Sequence, residues 1–113
     1  MTDKSPLTLQ IDADGPVRTV RCAGELTAKI SEYLRDQVKP LIPGSQKVVL
    51  DLTDVSFMDS MGLGTIVGLF VSAKAAGSRL QVINLSKRLS DLFSVTNLLT
   101  MFEAAGETDP RIP

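Results

Sequence analysis

Histidine and tryptophan are missing from this chain, and cysteine and tyrosine occur once each. Without histidine there is no Ser-His-Asp system, no imidazole general base and none of the common zinc sites. The lone Cys22 has no partner for a disulfide or for a Cys-x-x-Cys pair, and its place in an alternating segment marks a small buried side chain. A basic excess is also lacking. Twelve Lys and Arg face thirteen Asp and Glu for a net charge of −1. The cations are scattered, so there is no stripe to follow a phosphate backbone and no nucleic-acid partner is expected.

Long apolar runs are absent too. Met61 to Ala73 is broken by Thr65, Gly68 and Ser72 and stopped by Lys74. That is short of the roughly 20 residues a membrane helix requires, so the segment reads as a packed helix and no membrane insertion is expected. Met1 to Gln10 carries Asp3, Lys4 and Ser5 in place of an apolar signal sequence, which makes the cytoplasm the expected location. Phosphate-binding glycine motifs are missing. Gly62 and Gly64 do not complete a dinucleotide fingerprint, no Gly-Lys-Ser or Gly-Lys-Thr loop occurs, and Ser60 lacks the glycine two residues earlier that a nucleophile elbow needs. The carboxylate pairs Asp51 with Asp54 and Asp54 with Asp59 suit turns and caps. The chain therefore reads as a non-enzyme that needs no cofactor and no metal.

What is present suits one domain. A chain of 113 residues, 43% hydrophobic, can bury a real core but leaves no room for a second. The expected core spans about 7–103, and 104–113, with Gly106, Asp109, Pro110 and Pro113, reads as a tail. Leu7, Leu9 and Ile11 alternate with polar residues, and Ala13 to Pro16 supplies turn chemistry. Val17 to Ala23 alternates again, so an antiparallel hairpin is predicted, with Gly24 and Glu25 leading out of it. Thr27 is a helix-cap candidate. Ile30, Leu34, Val38 and Leu41 then recur at helical spacing until Pro40, Pro43 and Gly44 end the helix.

The run Val48 to Leu52, closed by Thr53 and Asp54, predicts a buried strand, followed by a loop and by a second helix from near Ser60 to Gly77. Leu80, Val82 and Ile83 make the next strand. Leu85, Leu89, Leu92 and Phe93 make a short helix after the cap candidate Ser86, and Leu98 to Phe102 a last strand. The fold class is α/β: a mixed, mainly parallel sheet of four to five strands, entered through an antiparallel hairpin, with three helices.

The segment Phe57, Met58, Asp59, Ser60, Met61, Gly62, Leu63, Gly64 places a hydroxyl at a helix start, where unpaired N–H groups and the macrodipole favour oxygen and negative charge. Ser60 or Asp59 serves there as an ordinary cap, or Ser60 is a hydroxyl whose phosphorylation adds about −1.5 to −2 charges and alters an interface. On the second helix Leu63, Ile66, Val67 and Phe70 should meet the sheet. Met61, Thr65, Gly68 and Ser72 form a second stripe without charge, which is either a docking surface or a face buried by the chain itself. Gly62 and Gly64 each cost roughly 1 kcal/mol in a helix, a penalty that close approach of another backbone, internal or foreign, would offset.

At Gly24, Glu25, Leu26 and from Val48 to Gly64 the sequence resembles the STAS domains and, among them, the bacterial anti-sigma factor antagonists; the likeness runs from Leu7 to Phe102. The resemblance implies that Ser60 is phosphorylated by a partner that is both anti-sigma factor and serine kinase. The unmodified form would bind that partner and free a sigma factor, and a serine phosphatase would reverse the modification. It points to Asp59, Met61, Gly62, Gly64, Thr65, Gly68, Ser72 and Thr27 as partner-binding residues. Thr27 stands where many relatives have an acid, and Met61 where a second hydroxyl is frequent. The tail lacks the helix that usually ends the domain, which would favour self-association, for instance as a homodimer, or a larger host assembly. The alternative within the family is a scaffold or subunit of a signalling assembly or transporter in which Ser60 is only a cap.

Overall fold

Turn chemistry cuts the chain into alternating elements. The computed structural model describes residues 7–13 and 15–95. Its elements are β1 (Leu7–Asp12), β2 (Val17–Leu26), α1 (Ala28–Val38), a 3-10 turn (Lys39–Leu41), β3 (Lys47–Met58), α2 (Ser60–Ala75), β4 (Leu80–Ile83) and α3 (Lys87–Val95). The four strands lie in the order β1-β2-β3-β4, with β1 antiparallel to β2 and the other two pairs parallel. This is the expected mixed sheet with its hairpin entrance and three helices. The strand expected at Leu98 to Phe102 lies outside the described residues.

Local chemistry fixes the connections. The hairpin turn passes through Gly15 at φ +108°, a conformation glycine adopts without steric cost. Arg18 then fastens the hairpin to the exit of α1, donating to the carbonyls of Leu41 at 2.8 Å and Pro43 at 3.2 Å. Pro40 lies in the 3-10 turn that ends α1. α2 stops as expected, with Gly77 at φ +75°, Gly77 N–H donating to the Lys74 carbonyl and Ser78 N–H to the Ala73 carbonyl. Ser86 caps α3 by accepting from the Leu89 N–H at 3.2 Å.

One sheet face and the helices share the core. Val20, Cys22, Val48, Leu50, Leu52, Leu80 and Val82 are buried with Leu34 and Val38 of α1, Ile66, Leu69, Phe70 and Ala73 of α2, and Leu89 and Phe93 of α3. Each of the Val, Leu, Ile and Phe side chains among them contributes about 1.5–3 kcal/mol through burial. Burial also pushes the Cys22 thiol up to about 12, with the Asp51 charge adding to the effect, so Cys22 stays a neutral packing group.

The structure corrects three expectations. β3 does not end at Thr53 and Asp54, and β2 does not end before Gly24. Both continue, to Met58 and Leu26. Over the extension Ala23 pairs with Asp54 and Leu26 with Met58, and two register shifts place twelve residues of β3 beside ten of β2. Bulges break the period-two pattern, which hid the extension. On α2 it is Leu69, not Val67, that is buried with Leu63, Ile66 and Phe70; Val67 is half-buried. Thr27 stands at the cap position of α1, but its side chain makes no capping bond.

Candidate functional site

The extension of β3 carries the chain to Asp59, the cap residue of α2. Its backbone N–H donates to the Leu26 carbonyl at 3.2 Å, fixing the start of α2 against the end of β2. Its carboxylate then serves two helices. Oδ1 accepts from the Gly62 N–H at 2.9 Å, inside α2, and Oδ2 accepts from the Ala28 N–H at 3.0 Å, the first residue of α1. Asp59 thus satisfies one of the free N–H groups at the start of α1, where the Thr27 side chain satisfies none. The Gly62 N–H is the largest influence on the Asp59 carboxyl and, with those of Ala28 and Met61, holds it below the ordinary 3.8 against desolvation, which acts the other way.

Gly62 is where α2 touches the rest of the domain most closely. A Cβ there would stand 2.3 Å from the Leu26 carbonyl oxygen. The close approach is therefore internal, and Gly62 is buried by its own domain. Gly64 and Gly68 differ. A Cβ at either meets nothing within 4 Å, and both are exposed.

Ser60 is the first residue of α2 and is exposed. Its hydroxyl stands at the mouth of a groove of about 290 Å³ between α1 and α2. Met61, Gly64, Thr65 and Gly68 line it, with Leu69 at its floor and Ser72 at its far end. The uncharged stripe expected on α2 is thus an open surface: Met61 is 59% exposed, while Thr65 and Ser72 are half-buried. The Thr65 hydroxyl donates to the Met61 carbonyl one turn earlier at 3.1 Å, so it is satisfied within α2. Among the expected site residues, Asp59 and Gly62 hold the start of the helix, and Thr27 is half-buried at the start of α1.

Two residues of this surface, Val71 and Arg35, escaped the sequence reading, and Phe57, which opens the motif it singled out, is exposed as well. Val71, 59% exposed, continues the Met61, Gly64, Gly68 row along α2. Phe57, 41% exposed, lies in the bulged end of β3, three residues before Ser60. Arg35 supplies the cation of the groove from α1. Its signal was its spacing, two steps of four from Thr27 through Ser31, whose hydroxyl donates to the Thr27 carbonyl at 2.8 Å.

A second polar cluster sits on β3 away from this groove. Asp51, 7% exposed, accepts from Thr53, from the Asn84 amide at 3.2 Å, and faces Arg21 at 3.6 Å. Burial alone would raise its carboxyl, but the hydroxyl and N–H of Thr53, with Asn84 and Arg21, hold it below 3.8. Asn84, at φ +61°, thereby links the end of β4 to β3.

No helix among the described residues is long and apolar enough to cross a membrane. The family model of the STAS domain matches residues 8–111. The anti-sigma-B factor antagonist of Bacillus subtilis (strain 168) is 37% identical over 90 residues, covering 80% of this chain and 83% of that protein. Among solved structures, the anti-sigma factor antagonist SpoIIAA in its unphosphorylated form superposes with a TM-score of 0.71 at 20% identity, over 88% of this chain and 97% of that one. The phosphorylated form of Bacillus SpoIIAA gives 0.69 at 21% identity, over 90% and 89%. At these identities the likeness to SpoIIAA establishes the fold. With the family model and the Bacillus subtilis relative, it places the chain: it belongs to the STAS domain family, together with the anti-sigma factor antagonists.

Proposed function

We propose that this chain is an anti-sigma factor antagonist whose binding is switched off by phosphorylation of Ser60. The observation that carries the reading is an exposed serine at the first position of α2, on a groove whose α2 wall carries no charge. The unmodified surface of Met61, Thr65, Gly68 and Val71 suits an apolar contact with the anti-sigma factor, which is then unable to hold its sigma factor. The partner's kinase activity uses the same approach. Ser60 Oγ attacks the γ-phosphorus of ATP, the Oγ–P bond forms as the bond to the β-phosphate oxygen breaks, ADP leaves, and the hydroxyl proton passes to a base on the kinase. This chain supplies a held acceptor, since Asp59 fixes the turn on which Ser60 sits.

The product carries about −1.5 to −2 charges at pH 7 at the edge of a surface that binds by excluding water. Burying that charge opposite an apolar or acidic patch is unfavourable, so the partner leaves. A serine phosphatase that hydrolyses the ester restores the binding form. Such a cycle belongs in the cytoplasm, where ATP and sigma factors meet. SpoIIAA, of the same fold, is known in both an unphosphorylated and a phosphorylated form.

The test is to mix the chain with Mg-ATP and the serine-kinase anti-sigma factors of its own genome, then locate phosphate by mass spectrometry. The reading expects phosphate on Ser60, a stable complex with Ser60→Ala and none with Ser60→Asp. A chain that none of those kinases modifies, and whose complexes ignore both substitutions, supports the scaffold alternative and overturns the switch.

A further inference from the structure

Among the described residues, Arg35 is the one charged side chain in the wall of the groove that holds Ser60. It lines the same groove as Ser60, from the opposite helix. Its present partners are weak ones: Glu32 on the preceding turn at 3.2 Å and Asp36 at 3.9 Å, with side chains 78% and 67% exposed. Pairs of this kind are screened by water and contribute little. Arg35 is seven residues beyond Ala28, which the Asp59 carboxylate ties to the start of α2, so it lies roughly 10 Å along α1 from the level of Ser60. Helical side chains lean toward the N-terminus of their helix, which aims the long arginine stem back up the groove toward Ser60. The N–H groups of Gly62 and Ala28 are already engaged by Asp59 and are not free to hold a second anion.

Resting on the phosphorylation of Ser60 proposed above, we infer that Arg35 is an internal phosphate latch: its guanidinium leaves Glu32 and Asp36 and pairs with the phosphoserine across the groove. Guanidinium fits phosphate with two parallel N–H donors, a stronger match than either exposed carboxylate gives it. The latch explains why one ester silences a whole surface. The phosphate repels the partner at the mouth of the groove, and the arginine drawn to it covers the apolar floor over Gly64 and Gly68. Release of the partner then needs no refolding, only a change of pairing by one side chain.

The test separates the latch from the kinase question by inserting phosphoserine at position 60 through the genetic code, with no kinase involved. The 31P shift is followed through the second ionisation of the phosphate, ordinarily near pH 6. In the otherwise unchanged chain this ionisation is expected about one pH unit below that of Arg35→Gln, because a touching cation favours the dianion. Arg35→Lys restores part of the difference, since it keeps charge but not the two-pronged fit. The difference persists in about 1 M KCl, where the Debye length is about 3 Å and only a contact pair survives. Identical titration of the unchanged chain and Arg35→Gln, or a difference lost at high salt, overturns the latch. Failure of any kinase to modify Ser60 would overturn the switch, and the titration would still decide the latch.

Discussion

Two glycines two residues apart on α2, Gly62 and Gly64, should respond to the same substitution with opposite signs. In Gly62→Ala the new methyl group would lie 2.3 Å from the Leu26 carbonyl oxygen, 2.8 Å from Leu26 Cγ and 3.0 Å from its carbonyl carbon. Two of these atoms are backbone, so no rotamer change relieves the clash. The start of α2 must retreat by about 1 Å, stretching the Asp59 to Leu26 and Gly62 to Asp59 hydrogen bonds. Overpacking of this kind costs about 2–3 kcal/mol, of which about 1 kcal/mol is returned by the better helix propensity of alanine. Gly64→Ala meets nothing within 4 Å and keeps the propensity gain, about 0.5–1 kcal/mol. The two variants should therefore differ by about 1.5–3 kcal/mol, or roughly 6–12 °C in melting midpoint for a domain of this size. Urea and thermal unfolding followed by circular dichroism measure both. Equal stabilities, or Gly64→Ala unfolding first, would refute the packing account of how Ser60 is held.

Three further outcomes follow from the same geometry. The Asp59 carboxyl is held low by N–H donors, so its stabilising charge is fully present above the unfolded value of about 3.8 and is lost as pH falls through the lower folded value. Urea midpoints of the unchanged chain should accordingly exceed those of Asp59→Asn by a constant amount from pH 8 to 5, with the gap closing in acid. Thr65→Glu with Gly68→Glu puts two charges in the groove at positions with room for them, so folding should be unchanged while titration calorimetry shows partner affinity falling at least about a hundredfold. Asn84 occupies the left-handed region and donates to Asp51, so Asn84→Ala should cost about 1–3 kcal/mol in urea unfolding, and Asn84→Gly less because glycine removes the strain.

The sequence declared its elements wherever one period or one turn residue ruled. The amphipathic spacing of Ile30, Leu34 and Val38, the stop at Gly77 and the Ser86 cap are all decided within a few neighbouring residues, and the structure agrees with each. The expected site residues Ser60, Met61, Gly64, Thr65, Gly68 and Ser72 do share one groove, because residues three and four apart lie on one side of a helix. What stayed hidden needed a partner to be seen. The extension of β3 past Thr53 depends on β2 continuing beside it with two bulges, and bulges erase the alternation that marks a strand. Asp59 is an acid before a serine in sequence, and only the fold brings the Ala28 N–H within 3.0 Å of it. Gly62 and Gly64 are likewise indistinguishable in sequence, and only the position of the Leu26 carbonyl separates a packing glycine from a surface one.

The central claim is that one oxygen decides whether the groove is occupied. Its most direct test is the affinity of the serine-kinase anti-sigma factor for the chain with Ser60 free and with phosphoserine at the same position, measured by titration calorimetry. The account predicts tight binding of the first and at least about a hundredfold weaker binding of the second, a difference of about 2.7 kcal/mol or more. Equal affinity for the two forms would contradict it.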